Sequence, residues 1–214
     1  MAKRSIVGPV ILIGVFVVPL LVYLFLFVGT KQQFSRVPYV YKIMENGDSL
    51  VYSLPVFHVK NVAGDSISTE TLLGNICIIG FFSPKGDHLT NTAFIGNLKR
   101  TFDNIAWEKS PDIRFVLFSE EDASADLKAF TDSLGLNPQH WLFLSGSKET
   151  IEKIAVDGLG VPDFKQSLQP FTASTVVLTD KEGKVRKQYV ATDLVEERKI
   201  QEDLITLLRL DYGL

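Results

Sequence analysis

Residues 76–100 read ICIIGFFSPKGDHLTNTAFIGNLKR, and the rest of the chain arranges itself around them. The apolar run from Asn75 to Phe82, NICIIGFF, has no alternation, so it predicts a strand covered on both faces. Phe94, Leu98 and Phe102 then recur at helical spacing, which makes the polar stretch between them a strand-to-helix connection. That connection contains no cysteine. The chain's one cysteine, Cys77, lies inside the predicted strand.

Working outward, the same strand and helix pattern repeats. IRFVLFS (113–119) predicts a second strand, and ASADLKAFTDSLGL (123–136) predicts a helix with Leu127, Phe130 and Leu134 on one side, closing near Gly135. WLFLSG (141–146) predicts a short strand, and KETIEKIAVDGLG (148–160) a helix with a glycine-rich end. TASTVVLTDKEGKVRKQYV (172–190) predicts a hairpin turning at Asp180–Gly183. Asp193 and Glu196 form a D-x-x-E start signal for a last amphipathic helix. Earlier, two alternating runs flank Asn46-Gly47, a pair suited to a hairpin turn, and a second hairpin is expected around Gly64. A mixed central sheet with helices on both faces is the architecture these elements predict, given right-handed crossovers.

The N-terminal part is different in kind. Ile6–Gly29 is a 24-residue run without charge, long enough to cross a hydrocarbon core of about 30 Å. A secretory signal is the rival reading, but the run is long and no small-x-small cleavage site follows it. The expectation is therefore one membrane span at 6–29, preceded by a cytoplasmic end (1–5) with Lys3 and Arg4, and followed by a tether and hairpin (30–54) and one folded domain (55–214). That domain would lie outside the cytoplasmic membrane, in the periplasm of a bacterium. Residues 31–214 carry 20 Lys and Arg against 25 Asp and Glu, which argues against nucleic acid as a partner. The basic run KEGKVRK reads as a hairpin rim.

Taken in order, these segments resemble the SCO/SenC family, the membrane-anchored thioredoxin-like proteins that assist copper delivery to cytochrome oxidase. LPVFHVKNVAGDSISTETLLGNICIIGFF is similar to that family's P-x-F segment, glycine turn and first core strand. NTAFIGNLKRTF resembles its helix, WLFLSGSKETIEKIA its aromatic strand and following helix, and VVLTDKEGKVRKQY its hairpin, with Asp180, Gly183 and Arg186 in a D-x-x-G-x-x-R pattern. The resemblance to Bacteroidetes-type members includes the tether. It implies a thioredoxin-like α/β fold and a copper site of two cysteines and a histidine. Those ligand positions fall on Asp87, Asn91 and Thr172, so the resemblance implies a site whose soft ligands are missing.

Few other residues suggest chemistry. Lys85, Asp87 and His88 are a possible residual loop site for a metal or anion, although neighbours in sequence rarely supply a coordination set alone. Cys77, mid-strand, reads as a small hydrophobe rather than a nucleophile. His58 and His140 are dispersed, and Glu120–Glu121 and Glu196–Glu197 read as solvated faces. Gly158 and Gly160 lack the context of a phosphate-binding loop. No catalytic constellation or cofactor is expected. The expected function is a membrane-tethered binding or assembly factor linked to respiratory cytochrome oxidase, with oxidase subunits or assembly factors as partners. Two alternatives stay open: a metallochaperone with substituted ligands, and a thiol-dependent oxidoreductase or peroxidase-like protein using Cys77.

Overall fold

The computed structural model describes residues 17–23, 36–83, 88–105, 112–120, 124–161 and 175–213. The chain divides into two units, Met1–Ser35 and Arg36–Leu214. In the first, residues 17–23 form a helical segment, α1. The rest of the expected span at 6–29 lies outside the described residues. Among those described, no helix is long and apolar enough to cross a membrane.

The second unit is built on a seven-stranded sheet. Its strands are β3 (His58–Asn61), β4 (Ser66–Ser68), β5 (Ile76–Phe81), β6 (Ile113–Glu120), β7 (Trp141–Gly146), β8 (Thr175–Thr179) and β9 (Val185–Val190). The spatial order is β4-β3-β7-β6-β5-β8-β9. β5, β6 and β7 run parallel, while β8 joins β5 antiparallel and β9 joins β8 antiparallel. The helices are α2 (Thr69–Leu72), α3 (His88–Asp103), α4 (Ser124–Leu134), α5 (Lys148–Glu152) and α6 (Leu194–Tyr212).

All six residues of β5 are buried, as the continuous apolar run predicts, and successive side chains enter opposite cores. Ile76 and Ile78 join Phe94 and Leu98 of α3, Leu127 of α4 and Leu204 of α6. Cys77, Ile79 and Phe81 join Leu72, Ile151 and Ile154 on the other face. Helices thus cover both faces of the sheet. Gly80 is required where α3 crosses the sheet: a Cβ there would lie 2.6 Å from Cζ of Phe94.

The two expected N-terminal hairpins are present. β1 (Tyr41–Ile43) and β2 (Ser49–Val51) form a separate two-stranded sheet around Gly47 at φ +85°, and β3 and β4 turn at Gly64. The D-x-x-E signal is half realised. Asp193 caps α6 by accepting from the Val195 N–H at 2.8 Å, while Glu196 pairs outward with Lys199 at 2.5 Å.

Three sequence expectations need correction. The helix expected over 148–160 is α only to Glu152, and Lys153–Gly158 is a π-helical turn. The wider turn brings Gly158 against Pro55 and Gly160 against the Tyr52 ring, approaches too close for a Cβ. Gln188 holds the exit by donating to the Leu159 and Gly160 carbonyls at 2.8 and 2.9 Å.

Second, KEGKVRK is not wholly a rim. Arg186 is only 4% exposed and pairs with Asp180, itself 3% exposed. Its Nε and Nη2 donate to the Val37 carbonyl at 3.0 and 2.6 Å, and its guanidinium lies 4.2 Å from the Tyr39 ring centre. A burial cost that would disfavour a lone guanidinium is offset by this full set of partners.

Third, Glu197 does not lie on a solvated face. It is buried at 7% and paired with Arg100 at 3.0 Å.

Candidate functional site

The candidate site is the exit of the central strand. After Phe81 the chain stays in the core for one more residue: Phe82 is fully buried and its N–H donates to the Phe118 carbonyl at 3.0 Å. The Ser83 carbonyl then accepts from Nδ2 of Asn91 at 2.6 Å. Asn91 is 5% exposed, in the first turn of α3 and on the stripe that continues as Phe94, Ile95 and Leu98. A polar side chain on a buried stripe needs a partner, and here it finds one on the strand exit. The connection is therefore closed at its base by a side chain-to-backbone bond.

His88 is the first residue of α3. Lys85, Asp87 and Thr172 lie outside the described residues. Of the five positions singled out around the loop and the family's ligand set, Lys85, Asp87, His88, Asn91 and Thr172, Asn91 alone has a described side-chain environment. Among the described residues, no three of His, Cys, Asp and Glu converge as a metal-binding group.

Further along α3, Asn97 donates to the Ala191 carbonyl at 2.6 Å, and Arg100 bonds both Asn97 Oδ1 and Glu197. This network ties the helix behind the loop to the β9–α6 junction. Its sequence signal was the polar Asn97 beside Leu98 on an otherwise apolar face.

Cys77 sits four residues before the end of β5, about 13 Å down the strand at its usual rise. It is 0% exposed and points into the core opposite α3, with Sγ 3.8 Å from the Leu72 and Asn75 carbonyls. Burial pushes its thiol up to about 12, against the lowering influence of Thr179 and Arg114. A thiol held protonated and without access is neither a nucleophile nor a soft ligand at neutral pH.

His140 packs as its sequence context suggests: Nδ1 is 3.2 Å from the Ile113 carbonyl and its ring meets Phe102 edge-on. His58 is exposed on the outer part of the sheet. A separate open cleft of about 540 Å³ lies at the other end of the sheet, where Val62, Lys128, Asp132 and Trp141 line it.

With this geometry established, comparison with known proteins is informative. No family model matches the chain. The SCO1 protein homolog of Bacillus subtilis is 28% identical over 152 residues, covering 66% of this chain and 76% of that one. A SCO1/SenC family lipoprotein from Bacillus anthracis superposes with TM-score 0.58 at 27% identity, covering 74% of this chain and 96% of the other. The chain is thus similar in sequence and in fold to Sco/SenC proteins. BsSco, a member of the Sco family of cytochrome c oxidase assembly proteins, superposes with TM-score 0.59 at 24% identity over 76% of this chain and 97% of its own. Arabidopsis thaliana ScoI, solved with copper bound, gives 0.56 at 17% identity over 75% and 99%.

The thioredoxin-like fold is thus supported by the sheet and by these neighbours together. The chain's thiol content bears directly on its chemistry. With one cysteine in all 214 residues, no dithiol can form within it, and the one present is walled into the central strand.

Proposed function

We propose that this chain is a membrane-tethered, exported Sco-type assembly factor that acts by binding protein partners of a respiratory oxidase, without carrying copper on thiolates and without disulfide exchange. The observation that carries this reading is Cys77: the sole thiol is fully buried on the far face from α3. A stable Cu(I) site draws on thiolate or thioether donors, and disulfide exchange needs an accessible thiolate attacking a partner sulfur. Neither requirement is met by Cys77. The described residues nevertheless carry a seven-stranded sheet with helices on both faces, which supports a Sco-like binding surface.

The test has two arms. Crosslinking in native membranes, followed by identification of the captured proteins, is expected to return oxidase subunits or their assembly factors; their absence would overturn the proposal. Titration of the detergent-solubilised protein against a competing Cu(I) chelator is expected to show no retained copper. Stoichiometric retention abolished by His88→Ala would instead establish a metallochaperone with substituted ligands. Retention abolished by Cys77→Ala would establish a buried thiol site.

A further inference from the structure

One edge of β7 is left open over half its length. β7 pairs with β6 along all six of its residues, from Trp141 to Gly146, but with β3 only at Leu144 and Ser145. β3 departs because it turns back at Asn61. The Asn61 N–H donates to the Asp65 carbonyl at 2.9 Å, while the Asn61 side chain accepts from the Asp65 N–H and donates to its carboxylate. Trp141, Leu142 and Phe143 therefore have no strand on that side.

The open edge faces the cleft of about 540 Å³. Trp141 and Phe143 send their side chains into one core and Leu142 into the other, so a cleft that all three line runs along the strand's backbone. The Phe115 N–H donates to the His140 carbonyl, and by alternation the backbone groups of Trp141 and Phe143 point away from β6. The Trp141 N–H is taken by the Asn137 carbonyl at 3.0 Å, which leaves the Trp141 carbonyl and the Phe143 N–H facing the cleft. Trp141 itself is only 3% exposed, and its indole Nε1 has no hydrogen-bond partner, an exception among buried polar groups. On the α4 wall, Lys128 and Asp132 set one positive and one negative charge a turn apart.

We infer that an extended peptide segment of a protein partner binds in this cleft as a short added strand beside Trp141–Phe143 and supplies an acceptor to the Trp141 indole. Backbone N–H and C=O groups on an open sheet edge are the complement of an extended peptide, whose own main chain completes the ladder. The charges of Lys128 and Asp132 cancel, which suits a neutral backbone over a charged small molecule. Three residues of free edge span about 10 Å, so the main-chain contact is short and side chains must add to it. Val62, Leu136 and Phe143 line the cleft with apolar surface for one such side chain. The inference stands on the cleft alone and does not depend on whether the partner belongs to an oxidase.

The probe is a phage-displayed library of random heptapeptides, panned on the detergent-solubilised full chain. Enriched peptides are synthesised with a fluorescent label and their binding is read by polarisation. Thr131→Arg, which sets a long side chain in the cleft, is expected to weaken binding at least ten-fold without moving the thermal midpoint. Methylating the backbone nitrogens of alternate peptide residues should abolish binding in one set and spare it in the other, because only every second N–H of an added strand faces β7. In ¹⁵N-labelled protein carrying Trp107→Phe, which leaves Trp141 as the single tryptophan, the indole resonance should move downfield on binding. Failure to enrich any peptide that Thr131→Arg releases, equal tolerance or equal loss of both methylated sets, or an unmoved indole resonance would overturn the inference. Self-association that Thr131→Arg abolishes, with no peptide bound, would assign the cleft to a second copy of this chain and overturn it as well.

Discussion

Replacing Arg186 with Met tests how residues 37–39, at the start of the folded body, are joined to the sheet. The substitution keeps most of the side chain's volume but removes four contacts at once: the ion pair to Asp180, two hydrogen bonds to the Val37 carbonyl and the contact with the Tyr39 ring. Breaking one side of a buried pair typically costs about 3–5 kcal/mol, because the remaining charge is left without its counter-ion. Asp180 keeps two N–H donors, from Glu182 at 3.1 Å and Lys184 at 2.9 Å, which places the expected cost near the lower bound, about 3 kcal/mol. With an m-value of about 2 kcal/mol per molar urea, the unfolding midpoint followed by tryptophan fluorescence should fall by about 1.5 M. Lys184→Met, which removes an exposed pair with Glu182, should leave the midpoint nearly unchanged. A fall of less than about 0.4 M for Arg186→Met, at an unchanged m-value, would refute the reasoning that this buried pair holds the N-terminal segment to the sheet.

Cys77→Val should fold, and its alkaline stability should differ from the wild type in a defined direction. The folded thiol titrates near 12 and the ordinary value is 9.0; below pH 9 both folded and unfolded chains keep the proton, while between the two values the unfolded chain alone loses it. Wild-type stability should therefore fall relative to Cys77→Val by about 1.4 kcal/mol per pH unit across that window, as measured by urea melts from pH 8 to 10.5. Native-state alkylation at pH 8 should be slow and become stoichiometric in urea. Gly160→Ala combines a backbone at φ +68° with a Cβ 2.7 Å from the Tyr52 ring; it should cost about 2 kcal/mol or more, read as a lowered thermal midpoint. Asn91→Ala leaves the Ser83 carbonyl without its donor and should cost about 1–2 kcal/mol by the same measurement.

The sequence made legible those features that have a period or a turn. Continuous apolar runs gave β5 and β6, the 3.6 spacing gave α3 and α4, and Asn46-Gly47 and Asp180–Gly183 gave two of the hairpins. It did not reveal the π-helical turn, because nothing in KIAVDG departs from helical pattern; the residues packed against the end of that turn, Pro55 and Tyr52, lie about a hundred positions away. Nor did it reveal that Arg186 and Glu197 are buried. A charged side chain reads as exposed unless its partners are known; Arg100 lies 97 positions from Glu197 and Val37 lies 149 from Arg186, and only Asp180 is a near neighbour of Arg186. At the strand exit, Asn91 was marked by resemblance alone. Its place on the stripe of Phe94, Ile95 and Leu98 was a further signal that it would be buried and bonded.

That bond also frames the converse experiment, which restores the ligands. If the resemblance places the family's two cysteines and histidine correctly, Asp87→Cys, Asn91→Cys and Thr172→His together should create a soft donor set where the native residues offer carboxylate, amide and hydroxyl groups. The Asn91 side chain is directed at the Ser83 carbonyl at the mouth of the strand, so a thiol at 91 starts beside the connection that carries position 87. The loss of the amide should cost about 1–2 kcal/mol, little enough for the scaffold to remain folded. The triple variant is expected to hold one Cu(I) per chain against a chelator that strips the wild type, and Asn91→Cys alone is expected to hold none, since a single thiolate makes a weak site. Cys77 cannot substitute for the missing donor, because its side chain enters the opposite core from α3 and its thiol stays protonated. A triple variant that melts within a few degrees of Asn91→Ala and still binds no copper would show that Asp87, Asn91 and Thr172 are not the positions of the lost ligands.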